Sequence, residues 1–302
     1  MKNNNNKIIV ILGPTASGKT KLAVELAEKF NGEIVSADSR QVYRGMDIGT
    51  GKDLSEYSVP YHLIDVVSPK IRFDLAKYQE AAFKAINDIL KRGKLPILAG
   101  GSGLYLQAVI DNYRLSDIKS DLVLRKKLDK LSVEKLFKKL EELAPKMAVK
   151  LNQSDKNNKR RLIRYLEILS QDKNFKSRSG KKKYQALLIG VNISREVLQQ
   201  RIFKRLIQRL KEQDMVGEIE KLRKGGLSWK KLEEFGLEYR LIALYLQNKL
   251  QYDEMVKKLN LAIYQFAKRQ LTWFKRWEKQ GTKINWLKDD KKIEKLVKTF
   301  LK

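Results

Sequence analysis

An eight-residue segment near the amino terminus of the chain has the residue types of a phosphate-binding loop. Its residues match the pattern G-x-x-x-x-G-K-[ST] and are Gly13, Pro14, Thr15, Ala16, Ser17, Gly18, Lys19 and Thr20. Glycines allow backbone N–H groups to point inward around an anion, and the Lys19 ammonium adds a full positive charge. The Thr20 hydroxyl can ligate Mg²⁺ beside bound phosphates. The segment therefore predicts binding of a polyphosphate or diphosphate, without indicating the reaction.

The residues on either side of this loop indicate the elements that must position it. Residues 8–12 form a continuous apolar run, which is typical of a strand covered on both faces of a parallel sheet. After the loop, apolar residues recur at helical spacing from Leu22 to Phe30. The positive end of the helix dipole would then face the bound anion. The pattern predicts a strand, the loop and a helix in that order.

Further strands are predicted to bring other polar residues to the same edge of the sheet. Residues 32–37 form one predicted strand, which ends just before Asp38, and residues 61–67 form another. Residues 96–99 lead into a second glycine-rich turn, Gly100–Tyr105. Parallel sheets bind ligands beyond the carboxyl ends of their strands, so Asp38 and this turn are expected to share one cleft with the loop. We therefore predict an α/β protein with a P-loop NTPase-like parallel sheet flanked by helices.

Strand patterns are absent between residues 111 and 183. Basic, helical segments are predicted there, over residues 122–131, 133–143 and 160–170. A strand pattern returns at residues 184–191. We therefore predict a catalytic core formed by residues 1–110 and 184–302, with an all-helical insertion domain over residues 111–183.

The charge of the chain is unevenly distributed. The formal net charge is +29, and residues 1–110 contain 15 Lys and Arg against 11 Asp and Glu, whereas residues 111–302 contain 49 against 24. The basic excess outside the phosphate-loop half favours a polyanionic partner such as a nucleic acid. A lysine-rich composition that reflects codon usage stays an alternative, because lysines outnumber arginines.

Two patterns in this basic half place cations at regular intervals. Arg201, Arg205 and Arg209 recur every four residues on a helix that Ser194 is predicted to cap. Residues 267–277 interleave aromatic side chains with Lys268, Arg269, Lys275 and Arg276. The Trp and Phe residues at helical spacing fit a hydrophobic core as well as RNA binding, whereas the cations favour RNA binding.

The remaining composition limits the cellular context. Without cysteine, the chain has neither a disulfide framework nor a thiolate metal site. No apolar run approaches the length of a membrane span, and the first six residues are predicted to be a short disordered leader rather than a signal peptide. We therefore expect a cytoplasmic protein that does not bind a membrane. The single histidine, His62, is predicted to pack or to meet solvent rather than to catalyse.

Five motifs together resemble the bacterial tRNA dimethylallyltransferases, also called tRNA isopentenyltransferases. They occur in the family's order and lie at residues 13–20, 38–50, 100–105, 160–168 and 267–274. The resemblance covers nearly the whole chain. It implies transfer of a dimethylallyl group from dimethylallyl diphosphate to the N6 amine of an adenine beside the anticodon of tRNA, at position 37. The implied cofactor is Mg²⁺, and we expect the chain to be a monomer that binds the anticodon stem-loop.

The resemblance also implies roles for residues at matching positions. Residues 13–20 would hold the diphosphate, Lys19 would act on its charge, and either Arg201 or Arg205 would assist. Asp38 would be the general base toward the adenine amine, and Ser102 stands near the base where the family usually has Thr. Contacts to tRNA are implied for Asp38, Ser39, Arg40, Gln41, Ser102, Arg125, Arg160, Arg161, Leu162, Ile163, Arg164, Lys268 and Arg269.

The chain departs from the family pattern in its last third, and other functions stay open on the residues alone. Residues 235–240 read Phe-Gly-Leu-Glu-Tyr-Arg where the family has I-G-Y-[KR]-E, and Ile263-Tyr264 replaces T-R. The alternatives are a small-molecule kinase, a non-catalytic RNA-binding protein and an enzyme that prenylates free adenine nucleotides. The chain has no predicted strand ending in a Walker-B Asp, which argues against a kinase. Because Lys19, Thr20 and Asp38 are all retained, a non-catalytic protein with a vestigial phosphate loop is disfavoured. The basic insertion favours tRNA over a free nucleotide as the acceptor.

Overall fold

A computed structural model of the chain describes residues 6–115, 121–172, 179–287 and 290–302. They divide into two compact units, the larger comprising Met1–Asn112 and Lys181–Lys302 and the smaller comprising Tyr113–Gly180. In the larger unit, the Asn112 side-chain amide donates to the Lys181 carbonyl at 2.9 Å, so the chain leaves and re-enters this unit at neighbouring points. The predicted leader lies, apart from its last residue, outside the described residues.

The larger unit is built on a parallel sheet. Within the described residues, six strands pair in the order β3-β2-β4-β1-β5-β6, and each neighbouring pair is parallel. The strands are β1 (Lys7–Leu12), β2 (Gly32–Ser36), β3 (Tyr61–His62), β4 (Leu95–Gly100), β5 (Gln185–Val191) and β6 (Asn285–Leu287). The predicted α/β class with a parallel sheet is confirmed. The predicted strand over residues 61–67 is wrong beyond His62, because Leu63 and Asp65 adopt left-handed backbone angles that end it.

Helices of the larger unit cover both faces of this sheet. In chain order the helices are α1 (Lys19–Lys29), α2 (Leu75–Lys91), α3 (Gly103–Ile110), α4 (Leu122–Asp129), α5 (Val133–Leu143), α6 (Pro145–Ala148), α7 (Gln153–Lys156), α8 (Lys159–Gln171), α9 (Arg195–Lys211), α10 (Met215–Lys224), α11 (Trp229–Phe235), α12 (Leu237–Leu246), α13 (Tyr252–Lys279) and α14 (Asp290–Leu301). A 3₁₀ turn spans Leu54–Glu56. The predicted N-cap of α9 is confirmed, since Ser194 accepts from the Val197 N–H. Asp74 caps α2 in the same way and accepts from the Lys77 N–H.

The apolar run of β1 is continuous because both of its faces are buried. Ile8, Val10 and Leu12 pack with residues of α2, α3 and α13, whereas Ile9 and Ile11 pack with residues of α1 and α14. All five side chains are fully buried. The central strand is thereby held on both faces, and its carboxyl end positions the loop that follows.

A second core joins α9 to α13 with the segment that follows β2. Leu206 of α9, Phe235 of α11 and Tyr239 of α12 pack there against Tyr43 and Met46. The segment after β2 is therefore held from behind by helices that come from the last third of the chain.

Among the described residues, no helix is both long and apolar enough to cross a membrane.

The smaller unit consists of α4 to α8 around its own core. Leu128, Leu136, Leu140, Leu162 and Leu166 are buried in this core. An isolated bridge between Tyr113 and Ser179 joins its two ends.

Candidate active site

The predicted phosphate-binding loop lies between β1 and α1. Gly18 has φ +90, a left-handed conformation that favours glycine, and Ala16 has φ 60. A Cβ on Gly13 would lie 2.8 Å from the Ser17 hydroxyl, so the loop leaves no room for a side chain there. The Ser17 N–H donates to the Pro14 carbonyl at 3.3 Å. The loop residues thus adopt the tight turn that a phosphate-binding loop needs.

Lys19 extends from the start of α1 toward the loop. Its ammonium donates to the Pro14 carbonyl at 3.3 Å and lines a cleft beyond the carboxyl ends of the strands. Burial lowers the pKa of Lys19 to about 8, an effect that the Asp38 carboxylate opposes and Arg205 reinforces. The ammonium is therefore charged at neutral pH but less strongly held in that state than an exposed lysine.

This lowered pKa predicts that binding of a diphosphate ligand weakens as the pH rises above about 8. Only the protonated ammonium attracts the anion, and the ligand's own last ionisation, near pH ~6, is complete by then. Calorimetry between pH ~7 and ~9.5 is expected to show constant affinity at the lower end. Above the Lys19 pKa, affinity should decline by up to ~10-fold per pH unit, because one proton is lost. The same decline in Lys19→Ala would assign the titration to another group.

The cleft has a cavity volume of about 120 Å³ and is open to solvent. Residues from the first and last thirds of the chain line it, and those with polar or aromatic side chains are Thr15, Lys19, Thr20, Asp38, Ser39, Arg40, Gln41, Thr50, Tyr57, Arg205, Arg209, Glu238, Tyr239, Phe266 and Gln270. Among the residues predicted for the site, the structure therefore brings the phosphate loop, residues 38–41 and Arg205 to one cavity. A second, much smaller cavity of about 20 Å³ lies between Thr15 and Ala16 on one side and α9 on the other.

Asp38 follows β2 at the ligand-binding edge of the sheet. Its Oδ1 accepts the Arg40 N–H at 2.8 Å and so closes a turn through its own backbone. Asp38 lines the cleft, and its Oδ2 accepts no hydrogen bond from the described residues. One carboxylate oxygen can therefore serve the turn while the other takes a proton.

Ser102 and Gln41 hold the turn after β2 in place. The Ser102 hydroxyl accepts the Ser39 N–H at 3.1 Å, so it connects the second glycine-rich turn to the turn at Asp38. The Gln41 amide donates to the Gly51 carbonyl at 3.0 Å and accepts from the Ser36 hydroxyl at 3.0 Å. Ser102 does not line the cavity, whereas Gln41 does.

Two of the three regularly spaced arginines of α9, Arg205 and Arg209, line the cleft. Arg201 donates to the Ser17 carbonyl at 3.3 Å, beside the phosphate loop. Arg205 lines the cleft and donates to Asp53 Oδ2 at 2.6 Å and to the Gly51 carbonyl at 3.3 Å. Arg209, for which the sequence predicts no role in the site, also donates to Asp53 Oδ2, at 3.3 Å. Burial and then the neighbouring Arg205 lower the pKa of Arg209 to about 10.

Gln270 of α13 is a site residue that sequence reasoning missed. Its Oε1 accepts the Thr15 N–H at 2.8 Å, and its Nε2 donates to the Gly101 carbonyl at 3.0 Å. One buried side-chain amide therefore connects the phosphate loop to the second glycine-rich turn. Gln270 lies inside the motif at residues 267–274, and its position among exposed cations was the available signal.

Tyr57 and Glu238 were also missed. Tyr57 lines the cleft, and burial holds its pKa above the ordinary value. Burial likewise raises the pKa of Glu238, which faces the cleft from α12. Glu238 belongs to the segment that departs from the family pattern, so that departure places a carboxylate in the cleft wall.

The aromatic residues and cations at residues 267–277 separate onto different faces of α13. Phe274 and Trp277 are fully buried, which supports the core interpretation for these two residues. Lys268 and Arg269 are exposed, and Lys268 lies over the Tyr264 ring.

In the smaller unit, the residues predicted to contact tRNA are of two kinds. Arg125 forms a paired hydrogen bond, at 2.8 Å for both contacts, with Glu167, whose other partners include Arg164 at 2.5 Å. Although burial opposes it, these hydrogen bonds lower the pKa of Glu167. Arg160 and Arg161 are exposed.

Leu162 and Ile163 differ from the neighbouring arginines. Leu162 is 0% and Ile163 8% exposed, and both pack in the core of the smaller unit. Their side chains are covered by protein, and we therefore assign them to the core rather than to direct contact with RNA. The helical period of α8 explains the difference, because residues 162 and 163 face inward while 160 and 161 face outward.

A magnesium ion fits this site only together with a substrate. The described residues contain no group of three or more His, Cys, Asp or Glu side chains that could hold a metal. Magnesium, however, commonly uses one or two protein oxygens and completes its shell with phosphate oxygens and water. The Thr20 hydroxyl supplies such an oxygen beside the phosphate loop. The donor set therefore fits a magnesium–diphosphate complex.

A parallel sheet whose first strand runs into a phosphate-binding loop is the architecture of P-loop proteins, and the fold assigns the chain to that class. Comparison of sequences narrows the class, since residues 41–277 match a family model described as IPP transferase. The chain belongs to this family, whose similar bacterial members are named tRNA dimethylallyltransferases.

Similar proteins of known sequence and structure cover nearly the whole chain. It is 46% identical to tRNA dimethylallyltransferase 1 of Geotalea uraniireducens over 94% of this chain and 93% of that protein. It is similar to a solved tRNA isopentenylpyrophosphate transferase of Bacillus halodurans, with 36% identity, a TM-score of 0.71 and coverage of 98% and 97%. A solved eukaryotic dimethylallyltransferase acting on tRNA is 28% identical, with a TM-score of 0.75 and coverage of 89% of this chain and 69% of that one.

Proposed function

We propose that the chain transfers a dimethylallyl group from dimethylallyl diphosphate to the N6 amine of adenine 37, next to the anticodon of tRNA. The products are N6-isopentenyladenosine in tRNA and diphosphate. The observation that supports this most strongly is the shared cleft, in which Lys19 and Arg205 stand near the Asp38 carboxylate. An anion-binding group and a proton acceptor are the two functions that this substitution reaction requires.

Asp38 is suited to activate the acceptor. An adenine amine is a poor nucleophile because its lone pair is delocalised into the ring. A carboxylate oxygen within hydrogen-bond reach can take the N6 proton as the new carbon–nitrogen bond forms. Oδ2 fits this role because Oδ1 is already engaged with the Arg40 N–H, which orients the carboxylate.

The phosphate loop, Lys19 and Arg205 are suited to stabilise the leaving group. Negative charge grows on the diphosphate as its bond to the allylic carbon breaks, and preorganised donors lower the free energy of that state. Arg205 is oriented in advance by Asp53 and by the Gly51 carbonyl. Magnesium, held through Thr20 and the diphosphate oxygens, would supply further neutralisation of this charge when bound.

An adenine in an anticodon loop must leave its stack to enter such a cleft. Unstacking costs a few kcal/mol, which additional contacts between protein and RNA must offset. The exposed cations Arg160 and Arg161 of the smaller unit and Lys268 and Arg269 of α13 are our candidates for these contacts. Because its tRNA substrate is found in the cytoplasm, we expect the enzyme to act there. We also expect it to be a monomer, which a mass measurement by light scattering would test.

Mass spectrometry of tRNA nucleosides tests the proposal directly. The purified chain is incubated with dimethylallyl diphosphate, Mg²⁺ and unmodified tRNA, and N6-isopentenyladenosine is expected. Parallel incubations with ATP and metabolites, and with adenine nucleotides in place of tRNA, test the kinase and the nucleotide prenyltransferase. Product in either of those incubations, and none with tRNA, would replace the proposed function.

The salt dependence of tRNA affinity is expected to show that the basic part of the chain binds the phosphates of the RNA backbone. If six or more phosphates are contacted, tRNA affinity should fall by about 10³-fold or more between ~50 and ~200 mM salt. Fluorescence anisotropy with labelled tRNA measures this slope. A flat response would leave the basic excess without a role in RNA binding.

Removal of the insertion provides the companion measurement. A short glycine linker between Asn112 and Lys181, which already contact each other, would replace residues 113–180. This variant is expected to lose tRNA affinity while it keeps its affinity for dimethylallyl diphosphate. Equal losses of both affinities would indicate misfolding of the larger unit.

A further inference from the structure

Glu218 of α10 has a buried carboxylate to which the reaction described above gives no role. Glu218 is 7% exposed, and both of its oxygens accept hydrogen bonds from the loop after β2. Oε2 accepts the N–H groups of Asp47 at 2.7 Å and Ile48 at 2.6 Å. Oε1 accepts the Gly49 N–H at 3.1 Å and the Tyr239 hydroxyl at 2.7 Å.

Consecutive backbone N–H groups that point to one place form a concave site for an anion. Their dipoles repel one another unless a negative charge lies among them. Here the chain supplies that charge itself, because the carboxylate comes from a residue about 170 positions later. We call residues 46–52 the glycine loop and conclude that its backbone is anchored by Glu218.

The opposite side of the glycine loop faces the cleft. Gly49, Thr50 and Gly51 line the cavity, and the Gly51 carbonyl accepts from both Gln41 and Arg205. Lys52, which closes the loop, is 1% exposed and donates to Asp47 Oδ1 at 2.5 Å. A shift of the loop would therefore move the acceptor that orients Arg205 and Gln41.

Tyr239 adds a steric constraint to the same anchor. A Cβ on Gly49 would lie 2.8 Å from the Tyr239 ring, so the loop backbone rests directly on that ring. Burial, with the adjacent Glu218 carboxylate, holds the pKa of Tyr239 well above its ordinary value, so its hydroxyl stays a donor. The residue that departs from the family pattern at position 239 thus supports the loop from behind.

We propose that Glu218 is a positioning residue for prenyl transfer: its carboxylate holds the glycine loop so that the Gly51 carbonyl keeps Arg205 and Gln41 oriented in the cleft. This inference rests on the proposed function. It adds to that function a residue that touches neither substrate and acts through the loop.

Substitution of Glu218 by Gln removes the charge and keeps the shape. Whichever oxygen becomes the NH₂ group, at least one backbone N–H then faces a donor instead of an acceptor. The single-turnover rate of prenyl transfer, with both substrates saturating, is expected to fall by about 10²-fold, as misplacement by ~1 Å can cause. Affinity for tRNA should change by less than about threefold, because the cations proposed to contact RNA phosphates lie on α8 and α13 and not on the glycine loop.

Glu220→Gln is the matched control, because Glu220 lies on the same helix and is exposed. It should leave both the rate and the affinity unchanged. A rate for Glu218→Gln within threefold of that control would overturn the proposal.

Chemical rescue separates the effect of the charge from a general loss of stability. Glu218→Ala empties the concave site, and added formate should restore activity by at least ~10-fold if an anion alone orders the loop. Formamide at the same concentration, with chloride added to match the ionic strength, should restore none. Equal rescue by formate and formamide, or rescue by neither, would contradict the proposed role of the charge.

Hydrogen exchange distinguishes failure of this inference from failure of the proposed function. The Asp47, Ile48 and Gly49 amides are expected to exchange faster in Glu218→Gln than in the wild type, with or without an active substrate pair. If wild-type protein prenylates no tRNA but this difference is seen, the anchor stands and the proposed function fails. If transfer occurs but the exchange rates are equal, the anchor is wrong.

Discussion

Asp38→Asn is expected to lower the single-turnover rate of prenyl transfer by about 10²–10⁴-fold, the usual contribution of general-base catalysis. The amide cannot accept the N6 proton. The melting temperature of the variant and its affinity for tRNA should stay close to those of the wild type. Rapid-quench measurement with saturating dimethylallyl diphosphate isolates the chemical step from binding.

The geometry around Asp38 makes this substitution informative. Asparagine keeps an oxygen in the position of Oδ1, so the hydrogen bond from the Arg40 N–H at 2.8 Å can persist. The turn is therefore preserved, and only the second carboxylate oxygen is replaced. A role confined to the turn would predict nearly normal transfer by the variant.

Asp74→Asn is a suitable control, because the Asp74 carboxylate also accepts a nearby backbone N–H, that of Lys77, but caps α2 outside the cleft. It should transfer the prenyl group at the wild-type rate. If Asp38→Asn stays within a few-fold of this control, the base is another residue and Asp38 is a turn residue.

Lys19→Ala is expected to abolish prenyl transfer while leaving tRNA binding intact. Removal of the ammonium deprives both the bound diphosphate and the departing diphosphate of a full charge in a partly buried site. Loss of signal in the nucleoside assay, together with unchanged anisotropy of labelled tRNA, would show that the defect is in the chemistry.

Lys21→Ala provides the comparison for Lys19→Ala. Lys21 lies on the same helix, but it is exposed and forms an ion pair with Glu25 at 3.9 Å, away from the phosphate loop. It should be fully active. Near-normal transfer by Lys19→Ala would remove the phosphate loop from the proposed mechanism.

Local patterns in the sequence predicted the parts of the site that depend on neighbouring residues. The strand, phosphate loop and helix at residues 8–30 follow from hydrophobic periodicity and glycine placement, and the structure contains them. The meeting of Asp38 with the loop was predicted from the general behaviour of parallel sheets. It holds because β1, β2 and β4 are neighbours.

Contacts between distant residues could not be predicted in this way. Glu218 is hydrogen-bonded to Ile48, 170 residues earlier in the sequence, and Gln270 to Thr15, 255 residues earlier. No local sequence pattern around either residue identifies these partners. The strand β6 is three residues long and has too short a pattern to recognise. The motif at residues 160–168 predicts tRNA contacts for Leu162 and Ile163, but both side chains lie on the inward face of α8 and are buried.

The hydrogen bonds of Gln270 have a consequence for synthesis of the protein. The phosphate loop leaves the ribosome early, but its connection to the second glycine-rich turn waits for a residue 255 positions later. At about 5–20 residues per second, the nascent chain carries a complete loop motif for many seconds before α13 can complete the cleft. Growing chains therefore lack the hydrogen bonds that join the phosphate loop to the second glycine-rich turn until residue 270 has been added.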